Sequence, residues 1–188
     1  MEKIIIDVIV DMQNDFVTGA LGSAEARAIA APLAGEAQRA AEAGHALFFT
    51  LDTHGPAYLS TREGSKLPVE HCLRGTDGWK LVPEVAAVAE SETPGCPGKV
   101  LVEKPTFGAA ALPEKIRKFL TETGSDVEKF RVYGVCTDIC VISNAMVLRA
   151  FFPETPIEIL PGLCAGVTPE SHATALQAMA ACQFDLAE

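Results

Sequence analysis

The segment "VYGVCTDICVISN", residues 132–144, carries two cysteines four positions apart, Cys136 and Cys140. Four readings compete for such a pair. A metal clip needs a second Cys or His pair at ligand spacing, and the sequence offers none. A dithiol redox couple usually separates its cysteines by two residues, and this pair has three between them. Two small buried thiols without chemistry explain the turn equally well when it is taken alone. A nucleophile requires a base and an electrostatic partner converging on the same place. The chain has candidates for both: Asp11 in "VDMQNDF" can take a thiol proton, and Lys104 in "VEKPTFG" can steady thiolate and carboxylate together. A second constellation is "LDTH", with Asp52 and His54 two apart on one face of an extended chain, followed by His71 in "PVEHCLRGT". One carboxylate and two imidazoles are a donor set for zinc, iron or manganese. On spacing alone, exposed or capping loop histidines are the better explanation of these positions.

These residues need a frame, and the hydrophobic pattern supplies one. "KIIIDVIVDM" (3–12) is β-branched and apolar throughout, the pattern of a strand buried on both faces. Further strands are expected at 46–52, 99–104, 129–135 and 156–160, with "QFDL" (183–186) as a sixth. Helices are expected from Pro32 to Gly44, over 112–124, over 138–152 and from Thr168 to about Ala181. Strands alternating with helices predict a parallel sheet covered on both faces. Residues 53–98, rich in Gly and Pro, read as a long irregular insert, which in a compact domain is usually functional. In open parallel sheets ligands bind beyond the carboxyl ends of the strands. Asp11, Asp52, Lys104 and the 135–140 turn all fall there. The turn is expected to open a helix with Thr137 or Asp138 as its cap and Cys140 in the first turn, where the helix dipole favours thiolate.

The totals set outer limits. At 188 residues the chain is expected to form one domain over residues 1–188. A net charge of −10 argues against nucleic acid as a partner, because phosphate binding needs a basic face. No apolar run approaches the ~20 residues of a membrane span. The N-terminus lacks a secretory pattern, so a cytoplasmic location is expected, with the six cysteines reduced. Asp7 shares a strand face with Asp11 and reads as a structural salt bridge or hydrogen bond. His45 and His172 need no role, and Trp79 reads as packing or an oligomer contact.

"DMQNDF", "EKPTFGA" and "GVCTDICV" together resemble the three signature segments of the isochorismatase-like cysteine hydrolases, and the likeness runs through nearly the whole chain. The resemblance implies a three-layer α/β/α sandwich around a six-stranded, mainly parallel sheet. It implies an Asp11–Lys104–Cys140 triad, a cis peptide at Val135–Cys136, and an oxyanion hole made by the N–H groups of Cys136 and Cys140. Asp-x-His followed by His-Cys and Gly-Thr is similar to the metal-binding nicotinamidase branch. That implies one divalent ion, zinc before iron or manganese, on Asp52, His54 and His71, with Glu63 in "STREGSKLP" as a further ligand. Many nicotinamidases stack a tryptophan on the pyridine ring from the loop before the His-Cys pair. Here Leu67 and Pro68 stand in that loop, leaving Phe16, Leu67 and Phe107 to wall the substrate. The function implied is hydrolysis of a small-molecule amide, nicotinamide first, in a homo-oligomer. Another amide or carbamoyl compound, or a catalytically inactive binding member, are the alternatives.

Overall fold

The computed structural model describes residues 2–187. Six strands form one sheet in the order β3-β2-β1-β4-β5-β6, and every pairing is parallel. The strands are β1 (Glu2–Val10), β2 (Ala46–Asp52), β3 (Lys99–Lys104), β4 (Ser125–Val135), β5 (Ile157–Ala165) and β6 (Asp185–Leu186). All of β2 is buried, as is the run Ile6–Val10 of β1, which explains their unbroken apolar sequences. Edge strand β3 instead leaves Lys99 and Leu101 accessible while burying Val102 and Lys104.

The helices are α1 (Asn14–Val17), α2 (Ala24–Glu42), α3 (Pro83–Glu90), α4 (Leu112–Thr123), α5 (Ile142–Phe151) and α6 (Pro169–Ala181). The long α2 packs on α3 and against β1, β2 and β5, while α4 and α5 pack together against β4 and β5. This gives the expected α/β/α layering around the sheet. Among the described residues, no helix is long and apolar enough to cross a membrane.

Four expectations are corrected. Helix α2 begins at Ala24 and not at Pro32: Ser23 caps it, its hydroxyl accepting from the Ala26 N–H at 3.0 Å. Pro32 sits inside the helix, where the Ala-rich sequence absorbs the one lost hydrogen bond. The 53–98 stretch is not wholly irregular, since it contains α3, opened by Pro83, and a short 3-10 turn at Tyr58–Ser60. Helix α5 begins at Ile142, later than position 138, because a π-type turn over Thr137–Val141 precedes it. Neither Thr137 nor Asp138 caps that turn. Cys136 occupies the cap position without a side-chain bond, while the Thr137 hydroxyl meets His172 Nδ1 at 2.8 Å and Asp138 accepts from the Val167 N–H at 3.1 Å.

The order of the sheet reverses between β1 and β4, so a crevice opens between their carboxyl ends. Asp11 follows β1 on one side and the cysteine turn follows β4 on the other. The two strands approach closely because Gly134 has no side chain. At its φ of 129° a Cβ would stand 2.2 Å from the Val10 carbonyl oxygen.

Candidate active site

Asp11 immediately follows β1 in the left-handed region, at φ 49°, a conformation that costs a non-glycine residue about 1–3 kcal/mol unless its surroundings hold it. Its N–H donates to both oxygens of Thr50, each at 3.2 Å, and its Oδ1 accepts from the Thr50 hydroxyl at 2.6 Å. The other oxygen, Oδ2, lies 2.7 Å from Lys104 Nζ. That contact is an ion pair off the hydrogen-bond axis, so Oδ2 keeps a lone pair without an aligned donor.

Lys104 closes β3 fully buried and faces three acidic groups. Besides Asp11, Nζ reaches Asp52 Oδ1 at 3.2 Å and Cys140 Sγ at 3.5 Å. Burial opposes its charge, yet the carboxylates of Asp11 and Asp52 outweigh burial and favour the ammonium. The same burial raises Asp11 above the ordinary carboxylate range, with Lys104 opposing and Asp52 assisting. Burial and the Asp11 charge also push the Cys140 thiol well above its usual value. Both influences favour the thiol over the thiolate.

Cys140 sits in the π-type turn. The Ile139 and Val141 N–H groups both donate to the Cys136 carbonyl, at 3.1 and 3.0 Å. Among the described residues the Cys136 N–H has no acceptor. The peptide between Val135 and Cys136 is cis. Burial, then Asp138 and Asp11, raise the Cys136 thiol to about 12. Asn144 ties the turn to the loop after β3: its amide donates to the Cys140 carbonyl at 2.8 Å and the Phe107 carbonyl at 3.2 Å, and its oxygen accepts from the Ala109 N–H.

Asp52 links this group to a second one. Its Oδ2 lies 2.9 Å from His54 Nε2 and 3.4 Å from His71 Nε2, and Glu63 Oε1 lies 3.5 and 3.8 Å from the same nitrogens. The four donor atoms fall within 4.8 Å of one another. Tetrahedral zinc with bonds of about 2.0–2.1 Å needs donors about 3.3 Å apart, so number, type and spacing all fit a divalent ion. His71 Nδ1 meets the Val69 carbonyl at 2.8 Å, which as a donor leaves Nε2 bare and aimed at the cluster, a usual orientation device for metal-binding histidines. Burial works against charge on Asp52, but the two imidazoles and Lys104 hold its carboxyl far below the usual range. Burial and the Asp52 charge raise Glu63.

A cavity of about 460 Å³ opens onto Cys136, Cys140, Asp52, Glu63 and His71. Phe16, Leu67 and Phe107 line it, and the Phe16 ring lies 5.5 Å from that of His71. Trp79 takes no part in this wall. Its indole N–H donates to the Thr53 hydroxyl at 2.8 Å, and the ring packs against the core.

Several positioning residues carried no assignment from sequence. Gln13 clamps both backbone atoms of Asp52, accepting from its N–H at 2.7 Å and donating to its carbonyl at 2.8 Å. Asp15 accepts from the Cys72 N–H at 2.8 Å, next to His71. Both lie inside "DMQNDF", so the signal was the polar density of that segment. Tyr58, whose ring packs on both cluster histidines, and Asn144 gave none. Asp7 does form the expected structural bonds, accepting from Arg131, Tyr133 and His45.

A model of the isochorismatase domain matches residues 6–187. Among solved structures, the chain is similar to the nicotinamidase/pyrazinamidase of Bacillus subtilis, with TM-score 0.84 and 25% identity over 100% of both chains. It is likewise similar to the pyrazinamidase/nicotinamidase of Streptococcus mutans, with TM-score 0.78 and 25% identity over 97% of this chain and 99% of that one. The pyrazinamidase of Pyrococcus horikoshii, solved in complex with zinc, shares the fold at TM-score 0.77 and 24% identity over 98% of each chain. A search of the curated proteins found no match. With the family model spanning almost every residue and these structures superposing along the whole length, the chain belongs to the isochorismatase family of hydrolases.

Proposed function

We propose that this hydrolase is a metal-containing cysteine amidase, one domain over the whole chain, that converts nicotinamide and water to nicotinate and ammonia through a thioester on Cys140. The observation that carries the reading is Lys104, whose one ammonium touches Asp11, Cys140 and Asp52 at 2.7, 3.5 and 3.2 Å. It thereby joins a base and a nucleophile to the donor cluster across a single buried site.

The chemistry follows from those positions. Burial disfavours a free thiolate, so Asp11 takes the Cys140 proton as the sulfur attacks the amide carbon. The N–H groups of Cys136 and Cys140 receive the charge that develops on the carbonyl oxygen. Protonated Asp11 returns its proton to the leaving nitrogen, ammonia departs, and the acyl group stays on Cys140. Asp11 then accepts a proton from water as the water attacks the thioester, and the acid and the thiol are released. Lys104 keeps its charge throughout and balances Asp11 whenever the carboxylate is ionised. A divalent ion on Asp52, His54, His71 and Glu63 would supply a Lewis-acidic anchor for the pyridine nitrogen, orienting the amide toward Cys140. The neighbour solved with zinc supports zinc as that ion.

Acid-quenching the enzyme during turnover and weighing its peptides tests this directly. A nicotinoyl mass on the peptide containing Cys140 is expected, and C140A should lose at least about 10³-fold in turnover while staying folded. Substantial turnover by C140A would remove the nucleophile assignment.

A further inference from the structure

The cavity at Cys140 has a marked division of chemistry. Its charged lining residues are Asp52 and Glu63, both in the donor cluster, and no arginine or lysine faces it. The one nearby ammonium, Lys104, has no side-chain exposure and is held by Asp11 and Asp52. Away from the cluster the wall is largely hydrocarbon, formed by Leu21, Leu67, Phe107, Ile139 and Val167, with the Ser23 hydroxyl engaged by the Ala26 N–H. At the rim this hydrocarbon is open to solvent: Leu67 is 37% exposed, Phe107 43% and Val167 56%. The volume, about 460 Å³, lies in the range that encloses drug-sized ligands, well beyond what a bare pyridine carboxamide fills.

Two consequences follow. A substrate whose carboxylate fell on the hydrocarbon side of the cavity would bury that charge away from any cation, which is unfavourable. A neutral substrate with added hydrocarbon would cover the collar and gain about fourfold in affinity for each methylene or methyl buried.

We infer that the site is built for neutral aromatic amides bearing an apolar substituent on the ring, with Leu67, Phe107 and Val167 as the specificity-determining collar. This rests on the amidase reading for its chemistry but not for its binding. The test is therefore made first on zinc-loaded C140A by titration calorimetry. The probes are nicotinamide, nicotinamides carrying an ethyl group at each free ring carbon, and an N-carbamoyl amino acid.

At least one ethyl compound is expected to bind about tenfold more tightly than nicotinamide, and V167D or L67S to remove most of that gain. The carbamoyl amino acid should not bind at millimolar concentration. Ethyl compounds that bind no better than nicotinamide would overturn the inference, as would a gain untouched by both variants, or no binding by any probe. A change in oligomer size in V167D without a change in preference would also overturn it, assigning the rim to contact with a second copy of the chain. Ammonia release by the wild-type enzyme separates the two readings. Expected binding without ammonia would sink the amidase chemistry and leave the collar standing, while nicotinamide turnover with no ethyl preference would sink the collar alone.

Discussion

Lys104 is the residue on which the site turns. Removing its charge leaves Asp11 buried without a counter-ion, and breaking a buried pair from one side typically costs about 3–5 kcal/mol. K104M is therefore expected to lower the midpoint of thermal unfolding substantially as well as abolish turnover. A variant as stable as wild type would show that the carboxylates do not depend on it. Asp11 sets the acid side of the pH profile. Only the ionised carboxylate can take the thiol proton, and burial moves its ionisation above the ordinary Asp value of 3.8. On acidification, kcat/KM should thus begin to fall at a pH above that of a normal Asp side chain; an acid limb at or below 3.8 would contradict the assigned base. At this scale the sequence was informative about Asp11, Lys104 and Cys140, because the first two stand at the ends of apolar strands and Cys140 lies in the turn that follows one. The expectation of a thiolate from the helix dipole left out desolvation, which acts the other way and which no spacing reveals.

Among the elements, the loop between β2 and β3 decides whether His71 and Glu63 meet Asp52 and His54. Asp15, in α1, staples it by accepting from the Cys72 N–H, and Gly78 passes so near that a Cβ there would lie 2.1 Å from Asp15 Oδ2. D15A is expected to weaken zinc affinity about 10–100-fold, measured by competition with a chelator, and unchanged affinity would show that the loop holds itself. The strand pair β1 and β4 depends on Gly134, and G134A should destabilise the fold by more than 1 kcal/mol, of the order expected for backbone strain and overpacking. A G134A midpoint in urea equal to wild type would contradict the close approach. Strands were legible because a sheet covered on both faces writes continuous apolar runs. The start of α2 was not, because its buried face is mostly alanine, which carries little periodic signal, and Pro32 mimicked a first residue. The path of the 53–98 loop was not legible either. Its bonds to Asp15 and Gln13, through the Cys72 N–H and the Trp79 carbonyl, are long-range and leave no mark in local pattern.

For the whole molecule, the parallel order β3-β2-β1-β4-β5-β6 places four strand ends around one crevice, and each contributes one part of the site. That much follows from the alternation of strands and helices. The strand order itself rests on packing the sequence does not display. The net charge of −10 has a functional corollary. An acidic molecule would repel an anionic substrate and show strong salt dependence, whereas a neutral amide feels no such field. The kcat/KM for the substrate should accordingly change less than about twofold between low and physiological ionic strength; a steep rise with salt would point to an anion. The central claim is tested most directly by ammonia release from nicotinamide, using purified enzyme supplied with zinc and C140A as the control. The expected result is equimolar ammonia and nicotinate from the wild type and neither from C140A. No ammonia from nicotinamide, alongside release from another primary amide, would contradict the substrate assigned here.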